Sequence, residues 1–133
     1  PAAPAPERLI LDSGAVIALA RNDPRARAVL TAAWEVGAEV SIPAIVLAET
    51  VRGAADDAPV NRVVKAVGRV LPVDEPVGRT AGSLLRASSS KATVDAVVIA
   101  TALAAGGGVV LTSDPDDLAA LAADHPQVVV RPL

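Results

Sequence analysis

Hydrophobic residues in this chain fall into short runs, typical of buried strands, that alternate with longer stretches of helical spacing. The short runs lie at 8–11, 40–42, 70–73, 109–111 and 128–130. The longer stretches predict helices at 13–20, 23–37, 43–53, 59–69, 75–87, 93–105 and 115–123. Strands that are separated by helices pair in parallel through right-handed crossovers. We therefore expect an α/β fold, with a central parallel sheet of about five strands and helices on both faces.

The chain is predicted to hold one domain, since 133 residues suffice for one compact core and are too few for two. We assign residues 1–7, rich in Pro and Ala, to a disordered tail and residues 8–133 to the domain. The longest uncharged apolar stretch, 96–110, is too short to span a bilayer, and the start lacks a signal-peptide pattern. We therefore expect a cytoplasmic protein with no membrane partner.

Composition excludes several kinds of chemistry. Hydrophobic residues make up 52% of the chain, yet Phe, Tyr and Met are absent. Trp34, which we assign to core or interface packing, is the only aromatic residue, so stacking of single-stranded bases is nearly ruled out. The absence of Cys excludes zinc–thiolate sites and a cysteine nucleophile, and the single His125 leaves little material for histidine metal sites or triads. A net charge of −3 is not that of a usual basic nucleic-acid module.

Acidic residues stand where chemistry is expected in such a fold. Asp12 follows the first strand and Asp114 follows the strand 109–111, and the carboxyl ends of parallel strands are where α/β sheets bind ligands. Glu49 and Asp95 lie within otherwise apolar segments. Clustered carboxylates repel one another unless a cation neutralises them, and oxygen-only ligation selects Mg²⁺ or Mn²⁺ over zinc. Such ions activate water and polarise phosphoryl oxygens, as phosphodiester hydrolysis requires.

Each of these acids also has a purely structural interpretation. Asp12 is a candidate turn or cap residue, and Asp114 is a candidate N-cap ahead of a helix. Glu49 has the spacing to pair with Arg52 on a solvated helix face, and Asp95 has the position of a first-turn acid that complements a helix dipole. No single acid therefore decides between structure and chemistry.

Four segments carry a resemblance to a known family. They are LILDSGA at 9–15, IPAIVLAE at 42–49, VDAVVIATA at 94–102 and VLTSDPDDL at 110–118. Together they resemble the PIN-domain ribonucleases, and especially the VapC-like toxins of type II bacterial toxin–antitoxin pairs. The last two segments are the most specific, and the resemblance extends from Leu9 to about Val130.

The resemblance implies a five-stranded parallel sheet and an Mg²⁺- or Mn²⁺-dependent endoribonuclease that hydrolyses phosphodiester bonds of RNA. By position, the catalytic and metal-binding acids of the family match Asp12, Glu49, Asp95 and Asp114. Asp117 matches a further metal-binding acid, with Asp116 as the alternative, and Thr112 and Ser13 match supporting positions. The resemblance also implies a cognate antitoxin protein as partner and a homodimer.

The chain departs from the family at two positions. Gly14 stands where a hydroxyl residue is commoner, and Ser113 stands where Arg is frequent, which removes one expected phosphate contact. Arg21, Arg25 and Arg27, which flank the loop after the first helix, are our candidates for contacts to the RNA backbone.

Two other classes of protein remain as alternatives. One is a non-catalytic α/β binding module, such as a degenerate PIN domain. The other is a phosphatase-type hydrolase with Asp12 as nucleophile, against which Gly14 argues, because that chemistry normally needs a second Asp two positions on.

Overall fold

The computed structural model describes residues 7–133, within which the chain forms five strands and seven α-helices. The strands are β1 (Arg8–Leu11), β2 (Glu39–Pro43), β3 (Val70–Leu71), β4 (Gly108–Thr112) and β5 (Val128–Pro132). The helices are α1 (Ser13–Ala20), α2 (Pro24–Glu35), α3 (Ala44–Thr50), α4 (Ala58–Val67), α5 (Glu75–Ser88), α6 (Thr93–Ala104) and α7 (Pro115–Leu121). All strand pairs are parallel, in the order β3-β2-β1-β4-β5, which confirms the predicted α/β class.

The first strand occupies the centre of the sheet. In the register of the sheet, Leu9 of β1 lies beside Val40 of β2 on one side and Val109 of β4 on the other. The chain builds the sheet outward from β1 to β3, then crosses back to β4 and β5. Since right-handed crossovers that run in opposite directions place their helices on opposite faces, α1–α4 cover one face and α5–α7 the other. Contacts agree, because α1 packs against α2, α3 and α4, whereas α5, α6 and α7 pack against one another.

The core is aliphatic throughout, as the composition requires. Strand β1 buries Leu9, Ile10 and Leu11 completely or nearly so, as expected of a central strand covered on both faces. Helix α6 is buried at every position from Ala96 to Ala102. A helix that is apolar all round belongs inside a protein, and α6 lies within the α5–α7 layer.

Local signals place the helix starts at or within one residue of the predicted positions. Asp23 caps α2, because its Oδ1 accepts hydrogen bonds from the backbone N–H groups of Arg25 and Ala26 at 2.9 and 3.0 Å. The glycines after α6 turn the chain into β4 with positive φ angles. At Gly107 a Cβ atom would lie 2.5 Å from the carbonyl oxygen of Gln127, so only glycine fits this approach.

The structure departs from the prediction chiefly at three elements. The helix predicted at 43–53 begins at Ala44 and ends at Thr50, because Pro43 belongs to β2 and the backbone after Thr50 binds a side chain farther along the chain. The strand predicted at 70–73 stops at Leu71, since Pro72 has no N–H for the ladder. A short 3₁₀ helix at Ala55–Asp57 was not predicted.

Trp34 does not pack in the core, because its side chain lies on the outer face of α2 and is 46% exposed.

Of the tail assigned to residues 1–7, positions 1–6 lie outside the described residues. The carbonyl of Glu7 accepts a hydrogen bond from the N–H of Glu39 at 2.9 Å. In the described part of the chain, no helix has the length and apolar character to cross a membrane.

Candidate functional site

The order of the strands reverses at β1 and β4, and the candidate site lies at their carboxyl ends. Asp12 follows β1 directly, and its N–H donates to the carbonyl of Leu111 in β4 at 3.0 Å. The side chain of Asp12 is only 5% exposed, although a carboxylate is rarely buried without a partner. Asp114 lies two residues beyond the end of β4 and is exposed. Both predicted acids are thus at the crevice where open α/β sheets bind ligands.

The Thr112 hydroxyl joins these two acids. Its Oγ1 donates to Oδ2 of Asp12 at 2.8 Å in a buried environment and accepts a hydrogen bond from the N–H of Asp114 at 3.0 Å. The other carboxylate oxygen of Asp12, Oδ1, is buried and has no hydrogen-bond partner among residues 7–133. A buried unpaired carboxylate oxygen is costly, so its presence in a native site calls for a ligand or a function.

Neither acid has the purely structural role that its position allows. Asp12 and Asp114 occupy the N-cap positions of α1 and α7, but neither side chain accepts a capping hydrogen bond. Ser13, assigned a supporting role, begins α1 and is half-buried, and its side chain forms no hydrogen bond within the described residues.

The raised pKa of Asp95 indicates that the other acids lie near it. Asp95 lies in the first turn of α6, half-buried, and burial together with surrounding negative charges raises the pKa of its carboxyl to about 6. The largest cause is burial, followed by the charges of Asp12, Asp117, Glu49 and Asp114. Since like charges raise a carboxyl pKa only at short range, five carboxylates share one region of the sheet edge.

The charges that raise the pKa of Asp95 distinguish Asp117 from Asp116. Both lie in the first turn of α7 and are exposed, but Asp116 is not among the charges that raise the pKa of Asp95. Adjacent residues of a helix point about 100° apart, and Asp117 is the one whose charge acts on Asp95.

Glu49 reaches the region from the opposite side. It is exposed in the last turn of α3, and α3 packs against α6. Within residues 7–133 it forms no ion pair with Arg52, so the proposed surface pairing is absent. Its charge acts on Asp95 instead.

The five acids do not form a closed coordination shell. Among residues 7–133, no group of three or more acidic or histidine side chains lies close enough to hold a metal ion by direct contacts alone. The residues nonetheless fit a hard divalent cation, because all donors are carboxylate oxygens and one of them, Oδ1 of Asp12, is buried without a partner. Mg²⁺ in particular is bound in proteins through one or two carboxylates and several waters.

The departure at Gly14 has a steric reason. A Cβ atom there would overlap Oγ of Ser113 and lie 2.7 Å from its Cβ. Gly14 is the second residue of α1 and Ser113 precedes Asp114, so the first turn of α1 lies closely against the segment that follows β4.

The predicted arginines lie away from the acids. Arg21 follows the last residue of α1, and the eight residues of α1 span about 12 Å from the Asp12 end. Arg21, Arg25 and Arg27 are exposed and form no ion pair within the described residues. Arg27 lines a small groove between α1, α2 and α4.

Sequence reasoning missed Asp57, which lies in the loop after α3. Its side chain is 7% exposed and accepts hydrogen bonds from the N–H groups of Arg52, Gly53 and Ala54. These bonds, that from Arg52 foremost, lower the pKa of Asp57. The only signal in the sequence is the acid pair Asp56-Asp57 shortly after Gly53, which is typical of a turn before a helix.

Comparisons with known proteins agree with this fold. Residues 9–124 match the PIN domain family. No curated protein sequence matches the chain. Among solved structures, VapBC2 from Rickettsia felis bound to a DNA fragment from its promoter contains a chain with a TM-score of 0.74 and 12% identity, covering 95% of this chain and 98% of that one.

Two further solved structures share the fold. A toxin–antitoxin complex from Klebsiella pneumoniae has a TM-score of 0.68 at 21% identity and covers 91% of this chain and 95% of that one. DNA-bound VapBC from Salmonella typhimurium has a TM-score of 0.65 at 17% identity, with coverages of 94% and 97%. At such identities the likeness concerns the fold. The family match, however, covers the whole region from β1 to beyond α7, and the chain therefore belongs to the PIN-domain family.

Proposed function

We propose that this chain is a divalent-metal-dependent endoribonuclease and acts as the toxin of a toxin–antitoxin pair in the cytoplasm. The observation that carries the proposal is the Asp12 carboxylate. It is buried at the point where the strand order reverses, one of its oxygens has no partner within residues 7–133, and three more acids act together with it on Asp95. A fold needs no such concentration of negative charge for stability, so the arrangement favours a bound cation.

Asp12, Asp95 and Asp114 would hold the ion, directly or through water, and Glu49 and Asp117 would complete its surroundings. The carboxylates that stand too far apart for direct contacts fit a hydrated ion such as Mg²⁺, with Mn²⁺ as the alternative. When bound, the ion would activate a water molecule and neutralise charge on the scissile phosphate of RNA.

We propose a separate role in hydrolysis for each of three side chains. Thr112 would hold Asp12 in one orientation through its hydrogen bond to Oδ2, and Oδ1 has no partner within residues 7–133. Asp95 must be ionised to contribute, and in the metal-free chain its pKa is raised to about 6. Glu49, exposed at the end of α3, would accept a hydrogen bond from the attacking water. Hydrolysis would leave a 5′-phosphate and a 3′-hydroxyl.

The partners follow from the solved complexes of similar fold, which contain VapBC or other toxin–antitoxin pairs. We propose that a cognate antitoxin binds this chain and that the chain forms a homodimer. Large apolar side chains that remain exposed provide surface for such contacts, among them Trp34, Val36 and Val129.

A second candidate function is a PIN domain that binds a partner without catalysis. It is favoured by one observation, namely that no three acids in the described part of the chain stand at direct ligation distance. The two candidates differ in metal affinity and in RNA cleavage.

The test is calorimetry with Mn²⁺ combined with cleavage of RNA, on the unmodified chain, Asp12→Asn and Asp124→Asn. The nuclease proposal predicts Mn²⁺ binding, cleavage that EDTA abolishes, and loss of both in Asp12→Asn. Asp124, exposed beyond the end of α7, serves as matched control, and its variant should retain both. Absence of Mn²⁺ binding in the unmodified chain, with no change in Asp12→Asn, would refute the nuclease and leave the binding module.

A further inference from the structure

Arg52 is an exposed arginine whose side chain is held in place. It follows α3 by two residues, and its Nη1 donates to the carbonyl oxygens of Ala48 at 3.0 Å and Val51 at 2.8 Å. These are carbonyls at the C-terminal end of α3, where a positive charge is favourable. The two bonds use both hydrogens of Nη1, so the three N–H groups on Nε and Nη2 remain for another ligand.

The backbone of Arg52 is fixed as well, by the buried side chain of Asp57. The N–H of Arg52 donates to both carboxylate oxygens at 3.0 Å, and the N–H groups of Gly53 and Ala54 add bonds of 2.7 and 3.1 Å to Oδ2. Hydrogen bonds to an ionised acceptor are about twice as strong as neutral ones. The turn that carries Arg52 is therefore rigid, and the lowered pKa of Asp57 keeps its carboxylate charged.

Arg52 differs in this respect from other arginines of the chain. Arg8 and Arg69 pair with Glu39, and Arg79 pairs with Glu75. The guanidinium of Arg52 has no carboxylate within 4.0 Å in the part of the chain that the structure describes. Its direct anchors are backbone carbonyls, and the charge of Asp57 acts on it without forming an ion pair.

The position of this charge is the second observation. Ala48, whose carbonyl anchors the guanidinium, immediately precedes Glu49, and the charge of Glu49 acts on Asp95 at the candidate site. An RNA strand carries one negative charge per nucleotide, and the phosphates that flank the scissile one would meet an edge that holds five carboxylates. A fixed cation at the end of α3 offsets that repulsion, and the guanidinium fork matches two phosphate oxygens.

We propose that Arg52 binds a backbone phosphate of the RNA next to the scissile one and that Asp57 is the positioning residue that fixes Arg52 for this contact. The inference rests on the proposed nuclease function and adds a substrate contact to it.

The test measures the affinity of a fluorescein-labelled, mixed-sequence single-stranded RNA by anisotropy in Mg²⁺, in an Asp12→Asn background that prevents cleavage. Arg52→Ala should raise the dissociation constant about tenfold, as expected for the loss of one charge-assisted contact. It should also reduce the slope of the logarithm of the binding constant against the logarithm of salt concentration by about 0.7. Arg52→Lys should restore the salt dependence and only part of the affinity, because lysine keeps the charge without the fork. The matched control is Arg69→Ala, since Arg69 pairs with Glu39 at the amino end of β2, away from the acids.

A double-mutant cycle tests the role of Asp57. Asp57→Asn should weaken RNA binding about threefold when Arg52 is present and not at all when Arg52 is alanine. Additive effects of the two substitutions would overturn the positioning role. An affinity of Arg52→Ala equal to that of Arg69→Ala would overturn the contact itself, whereas cleavage by the chain that depends on Asp12 would still uphold the nuclease. Thermal unfolding of every variant establishes that the loss does not come from unfolding.

Discussion

Asp95 carries a cost in stability that its removal should reveal. Its carboxylate is half-buried among four other acids, so in the metal-free protein at neutral pH it is charged against an unfavourable field. The substitution Asp95→Asn keeps the shape and removes the charge. We expect the metal-free variant to be more stable than the unmodified chain and to lose activity, which is the trade-off typical of a functional site.

The magnitude follows from the pKa. A rise from 3.8 to about 6 corresponds to about 3 kcal/mol in the free energy of unfolding. Because Asp95 is partly exposed, solvent screens this cost to roughly half. The variant also loses the favourable interaction of a first-turn acid with the dipole of α6, about 0.5 kcal/mol. The net gain is therefore about 1 kcal/mol, or roughly 4 °C in Tm for a chain of this length.

The pH dependence gives the prediction its direction. The pKa of Asp95 is higher in the folded than in the unfolded protein. The free energy of unfolding is therefore free of the cost of charged Asp95 below pH 3.8, and it decreases as the pH rises through about 6. The advantage of Asp95→Asn should accordingly be absent below pH 4 and complete above about pH 6.5. Activity should fall as the pH drops below about 6, because protonated Asp95 no longer supports a cation.

The assay is thermal unfolding in EDTA from pH 3.5 to 8, repeated with Mg²⁺ or Mn²⁺. Metal at about 100 times its Kd should stabilise the unmodified chain by about 2.7 kcal/mol and the variant by much less. Asp116→Asn is the control, since Asp116 does not act on Asp95, and it should change stability by less than about 0.5 kcal/mol. Equal stability of Asp95→Asn and the unmodified chain at pH 7.5 in EDTA, or a gain of the same size at pH 3.5, would refute the reasoning.

Three other substitutions test the packing around the site and one helix, each by urea denaturation. Thr112→Val should cost about 1–3 kcal/mol and reduce RNA cleavage, because it leaves Oδ2 of the buried Asp12 without its donor, while Thr112→Ser should be close to unmodified in both. Gly14→Ala should cost about 1–3 kcal/mol by overlap with Ser113, and the added change Ser113→Gly should recover most of that; no recovery would disprove the contact. Gly82→Ala should stabilise by about 0.5–1 kcal/mol, since Gly82 is exposed in the interior of α5 with free space around it, and a loss of stability would contradict the helix there.

Much of the fold was predictable because it depends on local patterns. Strand β1 and helices α1 and α6 begin where the apolar spacing or a cap residue indicates, and the parallel sheet follows from their alternation. The prediction was wrong where a distant group captures the backbone, as at the end of α3, whose continuation is prevented by hydrogen bonds to Asp57. Of the two uses predicted for Trp34, core packing was wrong and interface packing stays a prediction, because a helical pattern alone does not say how much of a wide apolar face the sheet covers.

For the site, the sequence by itself determined which acids were available and that Asp12 and Asp114 would follow neighbouring strand ends, since parallel strands bring their carboxyl ends to one edge. Only the tertiary structure decided that the Thr112 hydroxyl binds Asp12 across 100 positions of sequence, that the charge of Asp117 acts on Asp95, and that the carbonyl of Ala48 holds the guanidinium of Arg52. The physical reason is that hydrophobic periodicity is a property of consecutive residues. Hydrogen bonds and Coulomb interactions depend instead on distances in space, which the packed sheet and helices fix.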